Sequence, residues 1–419
     1  MRFFYSCLVV LATPFILVYF ALRGLRDRAY LSRWPERFGF LPTHAQRGCI
    51  CVHAASVGEF NAASPLIRSL LKNYPEIPLT VTTLTPTGSE RVQRELGDRV
   101  AHSYIPLDLP GAVRRFLHGL QPRLIIVMET EIWPNLYLQS ERQNIPLLMA
   151  NARLSKRSLE RFRYLPGFAG EILQTVAWIG AQSEADADRL VSCGARSQYV
   201  EMTGNLKFDL SVPASLEERA QALRLRWGRE RPVLVAGSTH EADENVVIPA
   251  FAELLKTLPD ALLVLVPRYP ERFARATQLA RAAGLSTQLR SKGEVCSTLA
   301  QCFVIDSIGE LMCYYACADV AFVGGSMGEQ GGHNALEPAA LGKPVLLGPN
   351  MDNAREIVTQ LLQCKAALRV TSQREFQQAA EQLLTDGALR ERMGQAGRDL
   401  VANNKGALNL TLEAIKNLL

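Results

Sequence analysis

The chain has 419 residues, enough for two to three domains at roughly 150 residues each. A content of 48% hydrophobic and 21% charged residues excludes a disordered or fibrous chain. The net charge of +5, from 46 basic against 41 acidic residues, is too small to argue for a nucleic-acid partner. Nine scattered cysteines without a CxxC pair argue against a disulfide framework and for a reducing, cytosol-facing compartment. Cys49 and Cys51, two apart on an expected strand, and Cys313 and Cys317, at helical spacing, read as buried thiols rather than as half of a metal site.

Residues 3–22 carry no charge and are rich in Phe, Leu, Val and Ile. At 1.5 Å per residue such a helix reaches about 30 Å, the thickness of a hydrocarbon core. The run exceeds the apolar stretch of a signal peptide and shows no small-x-small cleavage site before Arg23. Arg23, Arg26, Arg28, Arg33 and Arg37 follow it, with only Arg2 before. The positive-inside rule therefore predicts a single-pass N-terminal anchor over 1–25 with everything later on the cytoplasmic side. The same arginines suit acidic lipid head groups.

Beyond the anchor, apolar runs at 49–53, 79–83, 124–128, 146–150 and 176–180 read as strands, with amphipathic helices at 60–73, 89–96 and 135–142 between them. After a polar helix around 216–227 the pattern restarts, with strands at 233–236, 262–266, 303–305, 320–323 and 345–347. Continuous apolar strands alternating with helices predict parallel sheets covered on both faces. The expected architecture is α/β, with two doubly wound Rossmann-like domains, 26–212 and 213–400, facing a cleft. The helical tail is expected to end in a segment, 401–419, that packs back across the domain junction. In such sheets ligands bind beyond the carboxyl ends of the strands, where the strand order reverses.

At those ends stand the candidate residues. His53-Ala54-Ala55-Ser56-Val57-Gly58-Glu59 turns from strand to helix, and Glu59 in the first turn either favours the helix dipole or does chemistry. Glu129, in Val127-Met128-Glu129-Thr130-Glu131, leaves a buried strand, where an acid is costly without a partner. Two such carboxylates resemble the pair used in glycosyl chemistry. In the second half, Pro267-Arg268 puts a guanidinium at a strand end, suited to a phosphate or a surface ion pair. Ile308-Gly309-Glu310 opens a helix whose N–H groups can meet an anion. Gly324-Gly325-Ser326 through Gly331-Gly332-His333-Asn334-Ala335-Leu336-Glu337-Pro338 is a Gly-rich loop entering a helix, a ready anion site, with Glu337 placed to accept from ribose hydroxyls. No GxGxxG or GxxxxGK[ST] string occurs, which argues against dinucleotide oxidoreductases and P-loop NTPases. Asp186-Ala187-Asp188 mimics a metal-holding DxD but reads as solvated acids in a first helical turn. His240, in Gly237-Ser238-Thr239-His240-Glu241, is a base or phosphate ligand or else part of a capping loop.

Several strings in this order resemble the 3-deoxy-D-manno-octulosonic acid (Kdo) transferases of lipopolysaccharide synthesis. They are Ser56-Val57-Gly58-Glu59, Thr85-Pro86-Thr87-Gly88-Ser89, Met128-Glu129-Thr130-Glu131 with Trp133-Pro134-Asn135, and Asn151-Ala152-Arg153-Leu154-Ser155. Gly204-Asn205-Leu206-Lys207-Phe208-Asp209, Val266-Pro267-Arg268, Gly309-Glu310-Leu311 and Gly331-Gly332-His333-Asn334 with Glu337 continue the series over essentially the whole chain. The resemblance implies a GT-B type glycosyltransferase of the inner membrane. It implies an inverting, metal-independent reaction without cofactor, in which Kdo moves from CMP-Kdo to the tetraacyl disaccharide lipid A precursor (lipid IVA) and CMP is released. It further implies Glu59 as general base, Glu129 and Lys207 as transition-state stabilisers, and a CMP site from Pro267, Arg268, Ile308, Gly309, Glu310, Asn334, Ala335, Leu336 and Glu337. The alternatives are another membrane-associated GT-B enzyme with a UDP-sugar donor, or a tethered binding protein that has lost activity.

Overall fold

The computed structural model describes residues 1–25, 27–163, 166–210, 212–213, 215–293 and 296–419, so Arg26 of the basic cluster lies outside the described residues. The chain divides into two compact units, Met1–Asp209 with Asn404–Leu419, and Leu210–Asn403.

The first unit holds β1 (Ile50–His53), β2 (Leu79–Thr83), β3 (Ala101–Tyr104), β4 (Leu124–Met128), β5 (Leu147–Ala152), β6 (Trp178–Ala181) and β7 (Val200–Met202) in the order β3-β2-β1-β4-β5-β6-β7. The second holds β8 (Val233–Thr239), β9 (Leu262–Pro267), β10 (Thr287–Leu289), β11 (Cys302–Val304), β12 (Val320–Val323), β13 (Val345–Leu347) and β14 (Ala367–Arg369) in the order β10-β11-β9-β8-β12-β13-β14. All these pairings are parallel. Each sheet thus starts at an interior strand and grows outward on both sides, so the order reverses at β1/β4 and at β8/β12.

Strand alternation builds two cores per sheet. Cys51, Ile125, Val127 and Met149 face one layer of helices, whereas Val52, Ile126, Met128 and Leu148 face the other. Leu234 and Leu263 are likewise separated from Val233 and Val264 across the second sheet. Cys49, Cys51, Cys313 and Cys317 are buried free thiols. The helical tail breaks into Gln373–Thr385, Gly387–Asn403 and Ala407–Leu418. The last of these buries Ala407, Ala414 and Ile415 in the first unit's core. Asp209 fixes its start by accepting from the N–H groups of Gly406 and Leu408, both at 2.9 Å.

The first helix, Arg2–Gly24, is long and apolar enough to cross a membrane, with a mean hydropathy of 2.1 over its most apolar window. Its flanking arginines do not all face outward as expected. Arg37 is 2% exposed, between the rings of Phe20 and Tyr104 at 4.5 and 4.3 Å. Arg33 pairs with Glu36 at 2.6 and 2.8 Å. Those two guanidiniums are engaged within the first unit; Arg23 and Arg28 remain exposed.

Candidate functional site

In the first unit, β1 ends at His53 and the chain enters the helix Val57–Asn73 through Ser56, whose hydroxyl caps the Glu59 N–H at 3.4 Å. The Glu59 carboxylate reaches back to the Ala55 N–H (2.8 Å) and accepts from the Ser56 hydroxyl (3.0 Å), a variant of the capping box. Glu59 therefore serves the helix start, and it has a second property. Burial pushes its pKa up to about 7, the Glu131 charge adds to the rise, and the Ala55 bond and His53 only partly offset it. A carboxyl near neutrality is suited to exchanging a proton at physiological pH.

Glu131 received no role from the sequence, and the structure makes it part of this cluster. Burial raises its pKa, but His53 and the Trp133 indole more than compensate, and it ends below the ordinary glutamate value. The Trp133 Nε1–H donates to Glu131 at 3.0 Å, and His53 Nε2 stands 3.8 Å away. His53 is fully buried, its other ring nitrogen 3.0 Å from the Thr82 hydroxyl. Two neighbouring carboxyls are thereby pushed in opposite directions, the pattern that separates a proton acceptor from a permanent charge. The available signal was His53, a polar group closing an otherwise apolar strand.

Glu129 follows β4 with a left-handed backbone (φ 53°), as does Asn151 within β5 (φ 55°). Such conformations are costly for residues with a side chain and collect at functional sites. Lys207 Nζ lies 3.9 Å from the Glu129 carboxylate. Asn151 and Asn205 place the lysine by accepting from the Leu206 N–H (2.9 Å) and the Lys207 N–H (3.0 Å). Glu59, Glu129, Glu131 and Lys207 thus gather around the carboxyl ends of β1, β4 and β5, at the strand-order reversal.

In the second unit the corresponding reversal brings β8 and β12 together. A Cβ on Gly324 would stand 2.5 Å from the Ser238 carbonyl, so only glycine admits this approach. Asp243, three residues into the helix that His240 caps, is fully buried and accepts from the N–H groups of His240 (2.8 Å), Gly325 (2.7 Å), Ser326 (3.2 Å) and Met327 (3.0 Å). This corrects the anion-site expectation for the first part of the Gly-rich loop, whose N–H groups are already taken by a resident carboxylate. The spacing from His240 to Asp243 is that of a capping box and was legible.

His240 both caps its helix and turns its ring to the loop, with Nε2 2.9 Å from that of His333 and the rings stacked at 5.2 Å. Burial lowers its pKa, with Arg268 and Arg272 adding to the fall. Arg268, held at the end of β9 by its N–H bond to the Thr239 carbonyl (3.0 Å), covers Tyr269, whose ring meets His240 edge-on. Pro267 is the last residue of β9. At the other end of the loop, Ala335 and Leu336 are buried, Asn334 caps the Leu336 N–H at 3.1 Å, and its amide donates to Glu337 at 3.2 Å. His240 thus joins Arg268 to the Gly-rich loop. Ile308 is 70% exposed, Gly309 has φ 94°, and Glu310 lies with Arg290 and Arg219 at 3.3 and 3.6 Å.

Asp186 is buried rather than solvated. It accepts from the Leu154 N–H and from Arg189, both at 3.0 Å, and from the hydroxyl of Ser183, which in turn caps the Asp186 N–H. Its oxygens are engaged in structure, whereas Asp188 is exposed.

Two Rossmann-like domains with strand-end sites of this kind make up the GT-B architecture, and the family match assigns it to a glycosyltransferase. Residues 32–210 match the family model "3-Deoxy-D-manno-octulosonic-acid transferase (kdotransferase)", and 233–400 match "Glycosyl transferases group 1". The chain is 40% identical to the 3-deoxy-D-manno-octulosonic acid transferase of Haemophilus influenzae, covering 99% of this chain and 98% of that one. It is 35% identical to the Bordetella pertussis enzyme of the same name, over 95% and 98%. The fold is shared with the UDP-GlcNAc 2-epimerase of Neisseria meningitidis (TM-score 0.56, 17% identity, 88% of this chain and 99% of that one). The chain belongs to the 3-deoxy-D-manno-octulosonic acid transferase family and is a Kdo-transferring glycosyltransferase.

Proposed function

We propose that the enzyme moves Kdo from CMP-Kdo to a primary hydroxyl of the tetraacyl disaccharide lipid A precursor, releasing CMP, at the cytoplasmic face of the inner membrane. The observation that carries this is the Glu59 carboxyl set against Glu131 at the strand-order reversal of the first sheet, where burial and the Glu131 charge push the Glu59 pKa up to about 7 while His53 and Trp133 hold Glu131 below the ordinary glutamate value. In this reading the ionised Glu59 takes the proton of the acceptor hydroxyl as the oxygen attacks the anomeric carbon. The carbon–phosphate ester bond breaks on the opposite face, its electron pair leaves with CMP, and the anomeric configuration inverts. The anomeric carbon already bears a carboxylate, so positive charge developing there is softened within the donor itself, and a carboxylate such as Glu129 adds to that stabilisation. Lys207 offsets negative charge on the sugar carboxylate or the departing phosphate.

In the second unit we assign the nucleotide to Pro267-Arg268, Ile308-Gly309-Glu310 and Asn334-Ala335-Leu336-Glu337. Arg268 supplies a cation and Glu337 accepts from ribose hydroxyls. The chemistry runs on acid–base and charge stabilisation from side chains, without a metal or cofactor. Incubation of the purified enzyme with lipid IVA and a panel of CMP- and UDP-sugars tests this reading. Mass spectrometry should show a Kdo-bearing lipid with CMP released; turnover of a UDP-sugar instead would overturn it.

A further inference from the structure

The first helix carries two stripes at helical spacing. Tyr5, Val9, Thr13, Ile16, Phe20 and Gly24 are partly or fully buried, and they form one face from the first turn to the last. Phe4, Leu8, Leu11, Phe15, Val18 and Leu22, on the other face, are 57–77% exposed. The inner stripe is tied to the first unit at both ends. At the start, the Tyr5 hydroxyl donates to Asp108 at 2.9 Å, the Ser6 hydroxyl to the Asn135 side-chain oxygen at 3.0 Å, and Arg2 pairs with Glu171. At the end, Phe20 packs on Tyr30 and on the Arg37 guanidinium, and Arg23 bonds the Tyr30 hydroxyl at 2.8 Å.

Tyr5 and Phe20 are separated by about 22 Å of helix at 1.5 Å per residue. If the helix stood across a bilayer with Phe20 at the cytoplasmic interface, Tyr5 would lie near the far side. Asp108 would be carried with it. That carboxylate also holds the Asn135 and Leu136 N–H groups at 2.8 and 2.9 Å, and the surrounding strand ends and loops would have to enter hydrocarbon. Irregular backbone facing lipid is not tolerated there. The folded contacts and a crossing are therefore incompatible.

We infer that the helix Arg2–Gly24 lies in the plane of the membrane surface, its inner stripe on the protein and its outer stripe sunk into one leaflet, in place of the single crossing expected from its sequence. The domain supplies the polar backing that an interfacial helix otherwise carries itself. Tyr19 and Tyr30, flanking the exposed Arg23 at 5.5 and 5.3 Å, suit the head-group level. Asp108 and Asn135 follow the carboxyl ends of β3 and β4, the edge of the sheet that bears Glu59 and Glu131. An in-plane helix thus holds the acid pair at the surface where the sugar of a lipid acceptor emerges, so the lipid need not leave the bilayer. This rests on the membrane association proposed above, and the test separates the two.

The full-length Arg2→Cys, Cys7→Ser, Cys364→Ser chain, in which the two partly exposed native thiols are removed, is bound to phosphatidylethanolamine–phosphatidylglycerol vesicles, purified by flotation, and treated from outside with a membrane-impermeant maleimide. Full labelling at position 2 without detergent is expected. Labelling that appears only after detergent would place the N-terminus in the lumen and overturn the in-plane helix while leaving the membrane association intact. Failure to float would remove both. A Ser6→Cys, Asn135→Cys pair gives an independent reading in case the first variant folds poorly. The disulfide should form in vesicle-bound enzyme that still transfers Kdo, and absence of the cross-link in folded, bound enzyme would count against the proposal.

Discussion

Glu59 and Asp243 occupy the same place in their respective sheets, the third residue of the helix that follows the first strand. Their surroundings give them different work. Asp243 is fully buried and meets four backbone N–H groups, so its charge is consumed in fixing the Gly-rich loop. Glu59 has one backbone donor and one hydroxyl, stays partly exposed, and faces a second carboxylate. One local motif thus yields a structural strut in one domain and a proton-exchanging group in the other. What separates them is how many donors converge on each carboxylate, a long-range property.

The comparison breaks most visibly at Glu59. Glu59→Gln should retain folding and CMP affinity but lose roughly 10²–10⁴-fold in Kdo transfer, the usual contribution of a general base. Asp243→Ala should do the reverse in kind. It strands loop N–H groups, and we expect a loss of roughly 2–4 kcal/mol in denaturant unfolding. Unchanged stability would show that the loop does not depend on it. Glu337→Ala should weaken CMP by roughly 1.5–3 kcal/mol in calorimetry while leaving acceptor binding intact. An unaltered affinity would make the loop's far end a structural turn as well.

A smaller effect sharpens the Glu59 half. Because the Glu131 charge raises the Glu59 pKa, Glu131→Gln should move the acid limb of the rate profile to lower pH. Burial, the larger cause, should keep that limb above the ordinary glutamate range. A limb that stays put would show that the two carboxyls do not communicate. Least of all, Asp188→Asn and treatment with EDTA should leave transfer unchanged. Asp186→Asn, by contrast, should cost stability because Asp186 is buried and bonded.

The interior of the fold was largely legible. Runs such as 79–83, 124–128 and 320–323 coincide with observed strands because strands buried on both faces are continuous apolar segments. The unforeseen strands β3, β7, β10 and β14 are the four sheet edges. Their residues, such as Ala101-His102-Ser103-Tyr104 and Thr287-Gln288-Leu289, lack that signature because an edge is half covered. At the site, Glu59 and Glu129 stood out by position and Lys207 through the family resemblance, whereas Glu131 and the His240–His333 contact depend on residues that only the fold brings together. The first helix shows the same limit. Its composition satisfies a crossing, whereas the stripe of contacts along the domain, on which the in-plane proposal rests, is not written in that composition.

The most direct test of the account is the pH dependence of the transfer step in single turnover with saturating donor and acceptor. The Glu59 pKa is raised to about 7, and only the ionised carboxylate can accept the hydroxyl proton. The rate should therefore be half-maximal near pH 7, fall about tenfold per pH unit below it, and lose this limb in Glu59→Gln. A wild-type rate that stays flat well below pH 7, or an identical limb in Glu59→Gln, would contradict the assignment of Glu59 as the base.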